Sequence, residues 1–305
     1  MRAADAPVEL VSPYQKYELK LRPFYPVPNR AAGSLLPVRI NGGRPLRMVL
    51  DSGAEFIVIG AKAGRSLGIS TGSEIELVGL GSKTAKVGRA ATVQIGPISF
   101  RNCPVAITDR AASEGADGVI PLSLFSQFLL RFDSPGQTLG LIPYPREGNA
   151  VVPPSRAAAK HNPLLVATVL NNKQGGYVVL DTGAFCSAIS REVARTLSGF
   201  PIAPAVPVVA GTGAATGQHV SSAVHFAIAQ YDLVPREVVA LDLSDLNRHF
   251  GVEVIGVLGF PELSQYVLTI DYRDGRVEFE PPQRLSARKL HRAHDNESPS
   301  ALAFN

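Results

Sequence analysis

The chain has 305 residues, of which 45% are hydrophobic and 18% are charged, and its formal net charge is +4 at pH 7. This composition excludes an intrinsically disordered protein, and the length suits two domains that each bury a core of their own. Because the charge is small and the arginines are spread along the chain, we predict no nucleic-acid partner. No apolar stretch reaches the length of a membrane-spanning helix.

The first segment, residues 1–30, is predicted to form an N-terminal arm that contains an edge strand. It holds five prolines and alternates polar with apolar side chains in the run YQKYELKL, a pattern that suits the edge of a sheet. The N-terminus lacks the charged-then-apolar pattern of a signal peptide. A leader removed earlier would leave no trace, so the compartment stays open and includes periplasmic or secreted locations.

Two hairpins follow, and each is predicted to end on an aspartate. SLLPVRI and RPLRMVL flank the turn NGG and lead to Asp51, while PLLVATVL and YVVL flank a turn at residues 171–176 and lead to Asp181. A short helical stretch comes after each aspartate, and Ser190 is placed as the N-cap of the one at residues 191–197. The other apolar runs are short and separated by turn residues, which predicts an all-β protein.

The two aspartates lie in a duplicated unit. Residues 48–67 and 178–197 align at an offset of 130 without a gap, with eight identities in twenty positions, and residues 118–143 and 256–281 align at an offset of 138 with seven identities in twenty-six. A period of this length indicates two similar lobes and not a solenoid. We therefore divide the chain into a first lobe at residues 31–150, a second lobe at residues 151–284 and a polar tail at residues 285–305; the proline-rich residues 144–160 connect the lobes.

Each copy carries an Asp-Ser/Thr-Gly triplet whose residues suit a catalytic dyad. Two carboxylates that face one another share a proton, so the pair offers a base that activates water and an acid that protonates a carbonyl. Each glycine permits a tight turn and a close backbone approach, and each hydroxyl can bond to the backbone of the other lobe. The expected reaction is peptide-bond hydrolysis without a covalent intermediate, a metal or a cofactor. The catalytic residues are Asp51 and Asp181, supported by Ser52, Gly53, Thr182 and Gly183.

The chain resembles aspartic proteases, and the retropepsin-like group more than the long pepsin type. The resemblance rests on the two triplets, each followed by alanine as in retropepsins, and on the apolar-apolar-Gly element at residues 257–259. It implies two β-barrel-like lobes with a cleft between them, a peptide or protein substrate, and a single-chain monomer as the active form. In the first copy Pro121 replaces the glycine of that element, which can distort the loop behind Asp51 and puts the symmetry of the lobes in question more than the activity.

The resemblance also implies glycine-rich flaps that close over the substrate. The candidate segments are residues 78–86 and 209–217, which occupy corresponding places in the two copies and lack the tyrosine of pepsin-type flaps; their glycines include Gly79, Gly81, Gly211 and Gly213. The same glycines allow a nucleotide-binding interpretation. We disfavour it because a dinucleotide-binding loop needs a following helix, and the residues after 217 resemble a strand.

Several other features have a structural interpretation. We expect Asp133 and Asp271 to start turns. We expect Cys186 to be a small buried apolar residue, and a disulfide between Cys186 and Cys103 is the less favoured alternative. We expect His291 and His294 to be solvated in the tail. Two functional alternatives stay open, a non-proteolytic peptide-binding pseudo-enzyme on the same fold and a protease whose arm covers the cleft. For an active dyad we expect a pH optimum on the acidic side of neutral.

Overall fold

A computed structural model describes residues 7–26, 29–79, 81–109, 115–144, 164–196, 205–210 and 212–281. Within these ranges the chain is mostly β-strand with a few short helices, so the all-β prediction is confirmed. Residues 145–160 of the expected connection, the whole tail with His291 and His294, and Gly211 lie outside the described residues. The residue boundaries between arm, lobes and tail stay a prediction.

The first half of the chain contains, in order, β1 (Glu9–Leu10), β2 (Tyr17–Lys20), β3 (Arg22–Pro23), β4 (Ser34–Ile40), β5 (Leu46–Asp51), β6 (Ile57–Gly60), α1 (Ala61–Ser66), β7 (Thr71–Gly79), β8 (Gly81–Ile95), β9 (Ile98–Thr108), β10 (Gly118–Pro121), a 3-10 turn (Leu122–Phe125), β11 (Phe128–Asp133) and β12 (Thr138–Pro143). The second half contains β13 (Leu164–Leu170), β14 (Gln174–Asp181), β15 (Ser187–Ser190), α2 (Arg191–Thr196), β16 (Ala205–Ala210), β17 (Gly213–His219), β18 (Phe226–Ile228), β19 (Tyr231–Leu233), β20 (Val238–Leu241), α3 (Ser244–Phe250), β21 (Val254–Gly259), α4 (Phe260–Leu263), β22 (Val267–Asp271) and β23 (Arg276–Glu280).

These strands form two similar lobes. The first lobe is a nine-stranded sheet in the order β1-β9-β6-β10-β5-β4-β8-β7, with β3 beside β4. Because β9 pairs with both β6 and β8, this sheet closes into a barrel. The second lobe is a nine-stranded sheet in the order β16-β17-β20-β15-β21-β14-β13-β18-β19. The prediction of two similar lobes is confirmed.

The two predicted hairpins are present and share one turn geometry. Asn41 and Gly42 connect β4 to β5 with φ values of 48° and 71°, and Asn171 and Asn172 connect β13 to β14 with φ values of 48° and 55°. In each turn a backbone hydrogen bond of 2.9 Å runs from the fourth residue to the first. Two central residues with positive φ define the type I′ turn, whose twist matches that of paired strands. The duplicated turn therefore sets the direction of the strand that ends on each aspartate.

A third sheet joins the lobes. Its order is β2-β12-β11-β22-β23, and its central pair β11–β22 takes one strand from each lobe, with Leu130 opposite Ile270. Both of these side chains are fully buried in a cluster that extends through both lobes. The edge strand predicted in the arm is β2, which pairs with β12. The described arm thus lies along this sheet and the first lobe.

Asp133 and Asp271 start turns, as expected, at the ends of the two central strands of the joining sheet. The Oδ1 atom of Asp133 accepts a hydrogen bond of 2.7 Å from the Gly136 N–H, and Asp271 Oδ1 accepts one of 2.9 Å from the Asp274 N–H. Asp271 Oδ1 also accepts a bond of 2.9 Å from the hydroxyl of Tyr144, which begins the connection between the lobes.

Pro121 leaves the symmetry of the lobes intact. It lies opposite Asp51 where β10 pairs in parallel with β5, just as Gly259 lies opposite Asp181 where β21 pairs with β14. In the second lobe the Gly259 N–H donates a hydrogen bond of 3.1 Å to Ser187 Oγ. At the offset of 130, Ile57 replaces Ser187 in the first lobe, and proline has no N–H to donate. The first lobe therefore lacks both the donor and the acceptor of that hydrogen bond, and its strands β5 and β10 keep the same register as β14 and β21.

This difference predicts a stability effect that is confined to the second lobe. In Ser187→Ala the buried Gly259 N–H loses its acceptor, and we expect the free energy of unfolding to fall by about 1–3 kcal/mol. Urea unfolding monitored by circular dichroism measures the change, and Ser221→Ala at an exposed position is the matched control. A Ser187→Ala variant as stable as the control would contradict the interpretation.

Candidate active site

The two lobes bring Asp51 and Asp181 face to face. Each aspartate is the last residue of its strand, and the turn that follows presents a glycine to the carboxyl group of the opposite lobe. A Cβ atom on Gly53 would lie 2.7 Å from Asp181 Cγ, and one on Gly183 would lie 2.5 Å from Asp51 Cγ. Real Cβ atoms do not approach other atoms so closely. Glycine is therefore required at both positions for the carboxyl groups to meet.

Each carboxyl group is oriented by its own turn in the same way. The Gly53 N–H donates a hydrogen bond of 2.7 Å to Asp51 Oδ1, and the Gly183 N–H donates one of 2.8 Å to Asp181 Oδ1. Since these bonds fix one oxygen of each carboxyl, the two groups face each other with a defined orientation. Both side chains are partly exposed in the cleft.

The side chains of Ser52 and Thr182 connect the two turns through four reciprocal hydrogen bonds. The Ser52 N–H donates to Thr182 Oγ1 at 3.0 Å, and the Thr182 N–H donates to Ser52 Oγ at 2.9 Å. The Ser52 hydroxyl donates to the Leu180 carbonyl at 2.7 Å, and the Thr182 hydroxyl donates to the Leu50 carbonyl at 2.9 Å. Both hydroxyl residues are 1% exposed. Breaking one of these bonds would leave buried polar groups unpaired, so the network holds the lobes in one relative position.

The surroundings of the dyad favour its protonated form. Burial raises the pKa of Asp51 well above its ordinary value, and the negative charge of Asp181 and a hydrogen bond to that carboxyl raise it further. Burial also raises the pKa of Asp181, against the opposing effect of the bond from the Gly183 N–H and of the hydrogen bond with Asp51. The two groups titrate as a pair. These effects therefore keep one proton on the pair above the ordinary pKa of an aspartate.

Both predicted flap segments form hairpins. Gly79 and Gly81 face each other at the end of the β7–β8 hairpin, and Gly213 pairs with Ala210 at the end of the β16–β17 hairpin. The tips are in contact, because a Cβ on Gly79 would lie 2.5 Å from Thr212 Oγ1. The glycine-rich run after residue 211 is thus a strand of a hairpin, which does not fit the strand-to-helix turn of a dinucleotide-binding loop.

The fourth residue after each aspartate also contacts a segment far away in the sequence, and sequence reasoning missed these contacts. Glu55 Oε1 and His249 Nε2 are hydrogen-bonded at 3.2 Å, which joins the turn after Asp51 to α3 of the second lobe. The rings of Phe24 and Phe185 are 6.0 Å apart, which joins the arm to the turn after Asp181. One feature of the sequence indicates that these two positions have different partners. Glu55 and Phe185 are equivalent in the duplicated unit, but one is acidic and the other is aromatic.

The two cysteines are free thiols, so the alternative of a disulfide is excluded. Cys103 is buried, and burial raises its pKa to about 12. Cys186 is only half-buried, which corrects the expectation of a buried residue; it packs at the margin of the second-lobe cluster. Burial also raises the pKa of the Cys186 thiol.

The described ranges contain no group of three or more histidine, cysteine or acidic side chains placed to hold a metal ion. Among the same residues, no helix has the length and apolar character needed to cross a bilayer.

The fold is that of the two-lobed aspartic proteinases. Residues 36–124, which include the first triplet, match the family model described as "Aspartyl protease", and this confirms the resemblance to aspartic proteases in general. The fold is similar to the crystal structure of an aspartic proteinase from Irpex lacteus, with a TM-score of 0.53 and 11% sequence identity over 87% of this chain and 97% of that chain. No curated protein matches the sequence. The family model and the fold support a proteolytic function.

The raised pKa of Asp51 predicts a dependence of stability on pH. The native state keeps this proton at pH values at which the unfolded chain, with an ordinary aspartate pKa of 3.8, has released it. The free energy of unfolding of the wild type therefore falls as pH rises from that value through the raised pKa. Asp51→Asn has no such proton, so we expect its stability relative to wild type to increase across this window.

Urea unfolding of both proteins between about pH 3 and about pH 8 measures this difference. Asp109→Asn, which removes an exposed carboxyl group, is the matched control and should follow the wild-type curve. Parallel curves for wild type and Asp51→Asn would show that the native state does not hold this proton more tightly than the unfolded chain.

Proposed function

We propose that this protein is an aspartic endopeptidase in which Asp51 and Asp181 together activate a water molecule. The observation that carries the proposal is the mutual approach of the two carboxyl groups, each seated against the glycine of the opposite turn. Two negative charges on carboxyl groups that are hydrogen-bonded to each other and largely shielded from water repel strongly, so the pair shares one proton. One group is then available as a base and the other as an acid.

One carboxyl group of the singly protonated pair is an acid and the other is a base, and the mechanism is written with the proton on Asp51. Ionised Asp181 takes a proton from water while the water oxygen attacks the peptide carbonyl carbon, and Asp51 gives its proton to the carbonyl oxygen. The resulting tetrahedral diol collapses when Asp181 passes its proton to the amide nitrogen and a diol hydroxyl returns a proton to Asp51. The C–N bond breaks, an acid and an amine leave, and the dyad regains its starting state.

The remaining parts of the site support the same function. The Ser52–Thr182 network keeps the carboxyl groups aligned, and positioning of this kind is a large part of enzymatic rate enhancement. The two hairpins that meet at Gly79 and Thr212 would cover a bound peptide as a pair of flaps. Because one chain supplies both aspartates and both hairpins, we propose that the monomer is sufficient.

The first test compares cleavage of a mixed peptide library by wild type, Asp51→Asn and Asp181→Asn from about pH 3 to about pH 9. We expect wild-type cleavage to be fastest on the acidic side of neutral, since activity needs one proton on the dyad. Each variant should lose about 10²–10⁴-fold in rate because it lacks the acid or the base. Mass spectrometry of the products gives the rates.

The outcomes separate the competing functions. If one variant keeps full activity, the two lobes do not form one site. If wild type binds peptides but cuts none at any pH, the chain is a peptide-binding module on a protease fold. A wild-type rate that rises steadily through about pH 9 would contradict the shared proton.

The contact between the hairpin tips predicts a specific effect of Gly79→Ala. A methyl group at this position would collide with Thr212, so the tips could not close together and peptide binding would weaken. We expect KM to rise about ten-fold with a smaller change in kcat. Gly72→Ala on the same strand is the matched control, since its Cβ would meet nothing within 4 Å. Equal KM values for the two variants would show that closure of the tips is not needed for binding.

A further inference from the structure

The two halves of the cleft differ at the fourth residue after each aspartate. Glu55 and Phe185 occupy this position in the first and second copies. Both are only partly buried, and each lies two residues beyond a glycine that touches the opposite carboxyl group. The duplicated backbone therefore places an acidic side chain on one side of the dyad and an aromatic side chain on the other.

The Glu55 side is polar and is completed by the second lobe. The Glu55 carboxylate is 28% exposed, and His249, which bonds its Oε1 atom, is 26% exposed. Within the described part of the chain, the other oxygen, Oε2, has no hydrogen-bond partner. Helix α3, which carries His249, also packs against the flap strand β7. This side of the cleft thus offers a carboxylate oxygen next to the flap.

The Phe185 side is apolar and is completed by the arm. The Phe185 ring packs against Phe24, and the adjacent Tyr25 is 55% exposed. Arg30 and Glu237 form an ion pair here, so their charges offset each other. The charges of Arg30, Glu237 and Asp181 all act on the Cys186 thiol, which places this group of residues beside the second aspartate. An apolar or aromatic side chain would find a matching surface here.

We infer that the two ends of the cleft select different side chains and so fix the direction in which a peptide binds. A lysine or arginine side chain binds at the Glu55 end, where its cationic group bonds the carboxylate. An apolar or aromatic side chain binds at the Phe185 end and packs against Phe185 and Tyr25. The inference rests on the proposed function, since it names the substrate class of the same site.

The experiment uses peptides with one cleavable bond and a single varied position, placed two to four residues before or after that bond. At each position lysine is compared with norleucine, which matches it in length, and phenylalanine with alanine. For wild type we expect a preference for lysine on one side of the bond and for phenylalanine on the other. In Glu55→Gln the ratio of kcat/KM for lysine over norleucine should fall about ten-fold.

In Phe185→Ala the preference for phenylalanine should fall by a similar factor, while the lysine preference on the other side is kept. Glu18→Gln removes an exposed carboxylate that pairs with Lys20 on strand β2, and it is the matched control for the loss of a charge. Continued cleavage of norleucine peptides by Glu55→Gln shows that this variant is folded. The inference would be overturned if lysine and phenylalanine were both preferred on the same side of the bond. It would also be overturned if the kcat/KM ratio of lysine over norleucine were the same in Glu55→Gln as in wild type.

Binding of uncleavable analogues separates this inference from the proposed function. Analogues of the same peptides with a reduced scissile bond are titrated into wild type by calorimetry, which requires no turnover. Preferences that appear in binding without any cleavage of the parent peptides would support the inference while the proposed activity fails. Cleavage without any preference at the two ends, or analogues that do not bind, would overturn the inference.

Discussion

The site depends on the reciprocal hydrogen bonds that Ser52 and Thr182 make across the boundary between the lobes. Each hydroxyl accepts a bond from the backbone of the other turn and donates a bond to the other strand, and both are buried. A small rotation of one lobe would break several of these bonds at once. Asp51 and Asp181 precede Ser52 and Thr182 directly in the sequence, so these hydrogen bonds fix the distance between the two carboxyl groups.

The sheet that joins the lobes and the Ser52–Thr182 hydrogen-bond network contribute to the structure in different ways. The β11–β22 pair buries apolar side chains from both lobes, and hydrophobic burial of this kind is strong but not directional. Hydrogen bonds contribute less net free energy but restrict geometry more tightly. The sheet therefore keeps the lobes together, and the Ser52–Thr182 network selects one arrangement among those that the sheet would allow.

The dyad and the features that deliver it were predictable because they depend on local chemistry repeated at a fixed offset. The type I′ turns, the strands that end on Asp51 and Asp181, the glycine-rich hairpins and the turns at Asp133 and Asp271 all follow from residue types within a few positions. The contact of Glu55 with His249 joins residues 194 positions apart, and no periodic pattern marks it. The packing of Phe24 on Phe185 depends in the same way on where the arm lies.

Pro121 shows why a departure from a motif was hard to interpret from one position. Its consequence depends on Ile57, because the bond that Pro121 cannot donate would need the acceptor that Ile57 lacks. The two replacements lie far apart in sequence but next to one another in the fold, where β6 pairs with β10. Only the tertiary structure shows that they compensate.

A duplicated chain can keep its symmetric backbone while its two halves acquire different side chains. The positions that set the dyad, the two aspartates and the glycines that touch them, are the same in both copies, because each must fit against its counterpart. Glu55 and Phe185 are free of that constraint, since the partner of Glu55 is His249 in the second lobe and the partner of Phe185 is Phe24 in the arm. A homodimer could not make this distinction, because any change would appear on both sides of the dyad at once. Fusion of the two lobes in one chain therefore permits a symmetric pair of carboxyl groups to lie within an asymmetric cleft.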